Sequence, residues 1–123
     1  MGDRSPIKIA LAQINPLLGD CSANAELIYQ AAKDAHGQGA SLLLSPELSL
    51  TGYPPEDLLL RPAFIVDTQR VLHHLCERLA VFQGLAVIVG HPSQDTLGLH
   101  NTASVLQNGQ VIASYHKQVL PNH

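Results

Sequence analysis

The sequence predicts an α/β fold, and three observations carry that expectation. Short aliphatic runs alternate with stretches of 3.6-residue apolar periodicity, 46% of the 123 residues are apolar, and an Asn-Gly pair divides two alternating segments near the end. A chain of this size and apolar share buries a core of its own. Strand-helix repetition calls for adjacent, parallel strands, whereas the Asn-Gly signal adds an antiparallel hairpin that a purely doubly wound sheet lacks.

Lys8 to Ile14 is aliphatic, stops at Asn15-Pro16, and reads as a buried first strand. In the helix that follows, Ala25, Ile28, Ala31, Ala32 and Ala35 recur on one face, Ser22 serves as N-cap, and Gly37 or Gly39 supplies the left-handed stop. Ser41 to Ser45 forms the second strand. After the turn at Pro54-Pro55, Glu56 to Arg61 reads as a short helical segment with its acidic residues at the positive end. A longer helix presents Phe64, Thr68, Val71, Leu72, Leu75 and Leu79 on one face, and Leu85 to Val89 is a third strand ended by Gly90-His91-Pro92. Asn101 to Leu106 and Gln110 to Tyr115 flank Gln107-Asn108-Gly109 as a β-hairpin. The expected order is βαβαβ followed by that hairpin.

Charged residues make up 14% of the chain and the formal net charge is -3. No basic field attracts nucleic acid or an anionic membrane, so neither is an expected partner. Ile7 to Ile14 is too short and interrupted for a signal or transmembrane segment, which leaves a cytoplasmic location as the expectation. Cys21 and Cys76 lack CxxC spacing and read as two reduced structural thiols, although Cys21 lies near a helix N-terminus that lowers thiol pKa values. His73, His74 and Glu77 share one helix, but without a His four residues on or a convergent third ligand they read as an exposed pair, and no metal site is expected. Neither GxGxxG nor GxxxxGK[ST] occurs.

The most informative stretch is Ser45-Pro46-Glu47-Leu48, followed by Thr51-Gly52-Tyr53-Pro54-Pro55-Glu56-Asp57. A carboxylate at the mouth of the buried Leu42-Leu43-Leu44 strand loses hydration unless it is paired or hydrogen-bonded. Desolvation raises its pKa toward the range of a general base. On spacing alone, Glu47 also fits a carboxylate that caps a turn, Lys117 a solvated lysine at a strand end, and Tyr53 a residue packing on the Pro54-Pro55 bend.

With Tyr115-His116-Lys117-Gln118, this stretch resembles the nitrilase superfamily, which hydrolyses carbon-nitrogen bonds with a Glu, Lys and Cys triad. Ile9 to Pro16 with Gly19-Asp20, the run from Thr51 to Pro62, Val89-Gly90-His91-Pro92 and Lys117 to Asn122 are further similar to the glutaminase domains of glutamine-dependent NAD+ synthetases. The resemblance implies a nitrilase-like αββα sandwich, of which residues 1–123 are the first half, with the synthetase domain absent. It implies Glu47 as general base, Lys117 as the cation beside the oxyanion, and Tyr53 and His123 in the glutamine pocket, His123 replacing a family Tyr. The nucleophilic Cys is expected outside this stretch. The implied partners are glutamine here and deamido-NAD+ and ATP in the missing domain. No cofactor is expected in this stretch, ATP and Mg2+ serving the synthetase half, and the assembly is expected to be a homo-oligomer. Two rival readings stand beside this one, a free-standing nitrilase-like amidohydrolase acting on another small amide and a non-catalytic remnant.

Overall fold

The computed structural model describes residues 7–46, 48–52, 62–96 and 98–119, the side chains of 117–119 excepted. Its elements are β1 (Ile9–Leu11), α1 (Cys21–Gly37), β2 (Leu42–Leu44), α2 (Pro62–Leu79), β3 (Ala86–Asp95), β4 (Gly98–Gln107) and β5 (Gln110–Val119). The short helix expected over Glu56 to Arg61 lies outside the described residues. The strands form one sheet in chain order, β1-β2-β3-β4-β5. β1, β2 and β3 are parallel, and β3, β4 and β5 pair antiparallel.

Local chemistry accounts for the element ends. Asp20, not Ser22, caps α1, because Ala23 N–H donates to its Oδ1 at 3.1 Å while Ser22 falls inside the first turn. At the other end Gly39 takes φ +83°, Gly39 N–H donates to His36 C=O and Ala40 N–H to Ala35 C=O. These two bonds close a Schellman motif, with Gly37 left inside the helix. Asn108 and Gly109 both have positive φ, 54° and 78°, as the two-residue turn between β4 and β5 requires.

Strand lengths depart from expectation in both directions. β1 and β2 hold three residues each, fewer than the Lys8 to Ile14 and Ser41 to Ser45 spans. β3 does not end at Gly90-His91-Pro92 but runs to Asp95 and makes a further hairpin with β4. The reason is the sheet's geometry. β2 pairs with β3 only as far as Leu44↔Ile88, so the later part of β3 has β4 as its ladder partner and Pro92 lies on an edge segment where its missing N–H is tolerated.

Pairing register shows how the two faces divide. Leu43, Val87 and Leu106 occupy one row, buried with Val89 beneath α1 and α2 in a core that includes Ile28, Ala32, Val71, Leu72 and Leu75. The helices are joined at their rim by Arg78, which bonds Glu26 at 2.8 Å and lies 3.9 Å over the Tyr29 ring. The opposite face carries the row Leu11, Leu44, Ile88, Val105 and Ala113. The described residues thus form one helix layer on one sheet. Among them no helix is long and apolar enough to cross a membrane.

The second face is uncovered, with Ile9 55%, Leu11 67% and Tyr115 68% exposed. A contiguous apolar surface on a twisted sheet is an association site in water. The purified chain should therefore sediment as species heavier than its 13.2 kDa monomer, and Leu11→Glu should move the distribution toward the monomer. An unchanged distribution in that variant would place the contact elsewhere.

Candidate active site

The loop that leaves β2 is built from buried residues. Leu48, Ser49, Leu50 and Thr51 are all buried, although they lie in turns between elements. Their polar groups must therefore be satisfied inside the protein. Ser49 N–H donates to Pro46 C=O and Thr51 N–H to Leu48 C=O, folding the chain through successive tight turns. Ser45 holds the start of the loop to β3, its N–H and its hydroxyl both donating to Ile88 C=O, and Ser49 Oγ donates to Ser45 Oγ at 2.8 Å. Leu50 N–H donates to Gly90 C=O, so the loop crosses toward the next strand. Leu48 adopts φ 51°, an unusual conformation for a residue with a branched side chain.

A second loop, between β1 and α1, clasps the first. Asn24, fully buried in α1, accepts the Leu17 N–H with Oδ1 and donates from Nδ2 to Leu17 C=O at 2.7 Å and Leu50 C=O at 3.1 Å. Gly19 N–H donates to Thr51 C=O. Gly52, at φ +73°, lies so close that a Cβ there would meet Leu17 O at 3.1 Å and Leu18 Cα at 3.2 Å.

Of the residues singled out from sequence, Glu47, Tyr53 and His123 lie outside the described residues. Lys117 is described through its backbone. The β4–β5 register steps from Asn101↔Gln118 to Thr102↔His116, which makes Lys117 the extra residue of a β-bulge. Position 117 and the β2 loop come to the same margin of the sheet, linked by Leu50 to Gly90, then by the pairs Gly90↔Ala103 and His91↔Thr102, then by Thr102↔His116.

Between them lies a polar patch that sequence reading missed. His91 Nε2 is 2.7 Å from Ser104 Oγ, which is 3.0 Å from Ser114 Oγ. Thr102 Oγ1 is 2.6 Å from Ser93 Oγ and 2.9 Å from His116 Nδ1. His116 stacks on His100 at 4.4 Å, and His100 Nε2 reaches Asp95 Oδ1 at 2.8 Å. The signal was alternation of polar residues along 91, 93, 95 and 100, 102, 104, visible once β3 is extended past Pro92. Asn24 gave a comparable signal, lying four residues before Ile28 on the buried face of α1.

Burial pushes the His91 imidazole below its ordinary pKa, a nearby His116 adding to the effect and the Pro92 carbonyl opposing it. Burial pushes the Cys21 thiol up, against a hydrogen bond with Thr68 and helped by Asp67 and Asp20. Cys76 is raised by burial and by Glu77. Both thiols are free and buried, so the helix N-terminus beside Cys21 does not make it a thiolate. His73 and Glu77 form an exposed contact at 3.8 Å, and no group of three His, Cys, Asp or Glu residues fit to hold a metal occurs among the described residues.

Residues 8–122 match the family model for carbon-nitrogen hydrolases. The glutamine-dependent NAD(+) synthetase of Synechocystis sp. is 42% identical over 122 residues, covering 94% of this chain and 22% of that protein. The chain spans about a fifth of the length of the curated relatives it matches. The structure of the glutamine-dependent NAD+ synthetase of Acinetobacter baumannii superposes with a TM-score of 0.78 at 34% identity, covering 95% of this chain and 22% of that one. A single-site mutant of the amidase of Nesterenkonia sp. AN1, carrying the acetamide moiety of fluoroacetamide covalently at its active site cysteine, superposes with a TM-score of 0.74 at 29% identity over 95% of this chain and 45% of its own.

The depressed His91 pKa makes a pH prediction. An unfolded imidazole takes up its proton near pH 6.5 while the folded one resists it. The stability His91 contributes is therefore fully present above about pH 6.5 and is lost as the pH falls below that value. Urea midpoints measured from pH 7.5 down to 5 should fall more steeply for the native chain than for His91→Gln. Equal slopes would mean that the folded His91 imidazole takes up its proton as readily as the unfolded one.

Proposed function

The chain belongs to the carbon-nitrogen hydrolase family, and from that premise we propose that it forms the amino-terminal part of a glutaminase domain that supplies ammonia for amidation of deamido-NAD+ to NAD+. The observation that carries the reading is the convergence of the β2 loop and the Lys117 bulge on one margin of the sheet. From Gly90, where the loop meets β3, to β5 is two strand spacings, about 10 Å. That span suits two side chains reaching toward a small amide between them.

In this reading a Cys outside residues 1–123 is the nucleophile, and Glu47 takes its thiol proton. The thiolate attacks the glutamine side-chain carbonyl, and the Lys117 ammonium stabilises the oxyanion that forms. Collapse of that intermediate breaks the carbon-nitrogen bond, Glu47 returns the proton to the departing ammonia, and a thioester remains. Water, deprotonated by Glu47, then releases glutamate and the thiol. Tyr53 and His123 contribute to the glutamine pocket. Cys21 and Cys76 are buried thiols whose pKa values burial raises, which argues against either as that nucleophile.

Residues 1–123 are in this proposal one part of a larger hydrolase domain, and deamido-NAD+, ATP and Mg2+ are handled by a separate synthetase domain. The described residues hold no donor set that fits Mg2+, so no step here passes through it. A cytoplasmic, homo-oligomeric enzyme belongs to the same proposal, and the two free thiols support a reducing compartment. The likeness to an amidase supports a second reading, hydrolysis of another small amide by the same residues. The 42% identity to the Synechocystis synthetase, against 29% to that amidase, favours the first.

Two predictions follow from these roles. In the intact enzyme, Glu47→Gln should lower glutamine-dependent NAD+ formation by roughly two to four orders of magnitude while ammonia-dependent formation persists, and Lys117→Met should show the same split. Loss of both activities together with the thermal transition would make either residue structural, and survival of both activities would make the assignment wrong. Residues 1–123 alone, incubated with glutamine, should release ammonia at the blank rate. Release abolished by iodoacetamide would instead identify Cys21 or Cys76 as a working nucleophile.

A further inference from the structure

We infer that Thr102 and His116 are positioning residues for Lys117, fixing the β-bulge that carries it. The inference rests on the role of Lys117 given above. A bulge leaves one residue out of the ladder and loosens the pairing on both sides of it, so backbone bonds alone define its shape poorly. Here the residue before the bulge is tied down by its side chain. His116 Nδ1 is 2.9 Å from Thr102 Oγ1, and its ring stacks at 4.4 Å and 29° on His100.

Both anchors of His116 are themselves fixed. Thr102 is 1% exposed and its hydroxyl also meets Ser93 Oγ at 2.6 Å, on β3. His100 is 5% exposed and bonds Asp95, likewise on β3. The contacts therefore form a closed path from β3 through β4 to β5 and back. A hydroxyl has one proton and two lone pairs, so Thr102 can serve Ser93 and His116 at once. A polar group this deeply buried resists movement because breaking either bond leaves it unsatisfied. The position of the bulge, and with it the starting point of the Lys117 side chain, is thereby held against the sheet.

A merely structural role for Thr102 predicts lost stability alone, whereas a positioning role predicts lost transition-state stabilisation. In the full-length enzyme, Thr102→Val keeps the shape and removes the hydroxyl. Its kcat for glutamine hydrolysis should fall about 10- to 100-fold, the scale of a small misplacement of a reacting group, with KM and ammonia-dependent synthesis unchanged. Thr102→Ser should restore the rate. In a Lys117→Met background Thr102→Val should cause no further loss, since residues acting through one another are not additive. Full activity of Thr102→Val beside an impaired Lys117→Met would overturn the positioning role alone. Additive losses, or a parallel fall in ammonia-dependent synthesis and melting temperature, would assign Thr102 to general stability and overturn it too. An unimpaired Lys117→Met would remove the lysine's own role, and the positioning role with it.

Discussion

The amide of Asn24 is the constraint on which the site's architecture depends. It pairs with both backbone groups of Leu17 and reaches the Leu50 carbonyl, so one side chain on α1 binds the loop before its own helix to the loop after β2. Fully buried, it has no water to fall back on, and loss of such partners costs about 1–3 kcal/mol for each orphaned group. The neighbouring Gly19–Thr51 bond and the close approach at Gly52 need the same alignment of the two loops. Once they are joined, the chain on either side of position 47 has little freedom. Leu48 is held at positive φ and Ser45 is fixed to β3, a conformation that isolated residues of these types would abandon.

The sheet then transmits that placement. Parallel β1, β2 and β3 carry the loops at their carboxyl ends, where open α/β sheets present their sites, and antiparallel β4 and β5 bring a later part of the chain back to the same margin. Only a hairpin that outruns β2 can do this. β3 extends to Asp95 beyond the last β2 pairing, and position 117 is reached on the return of β5 across that extension.

Much of the fold was legible in the sequence because its signals were local. Asn108-Gly109 imposes its turn whatever surrounds it, Gly39 terminates α1 by the φ it alone adopts cheaply, and the faces of both helices follow from apolar spacing. The extension of β3 was not legible, since Pro92 reads as a stop unless one knows that its strand has become an edge. Nor was Asp20 as N-cap, because Ser22 has equal intrinsic preference and the choice was made by where the clasped loop enters the helix. Of the site, the β2 loop and the region of Lys117 were marked by motif, but the residues that hold them, Asn24, Thr102 and His116, act through tertiary contacts with partners 7 to 26 and 14 residues away. Such contacts leave no periodic trace.

One face of the β3–β4 ladder changes character along its length, and the change points to function. Val87, Val89 and Leu106 lie under the helices as any core would, yet the same face continues through His91, Ser93, Thr102 and Ser104, all but Ser93 buried. Stability alone would favour continuing the apolar rows, because each buried hydroxyl or imidazole needs a partner to break even, and a partly satisfied network is worse than hydrocarbon. Here the network is satisfied through Ser104–Ser114 and Thr102–His116, at the cost of holding His91 away from its charged form. Sequences that break the core pattern in this way do so where a site must be held to a fixed geometry. The polar patch begins at the strand position where the β2 loop crosses onto β3 and ends at the bulge of β5. It therefore occupies the ground between the two arms of the proposed chemistry.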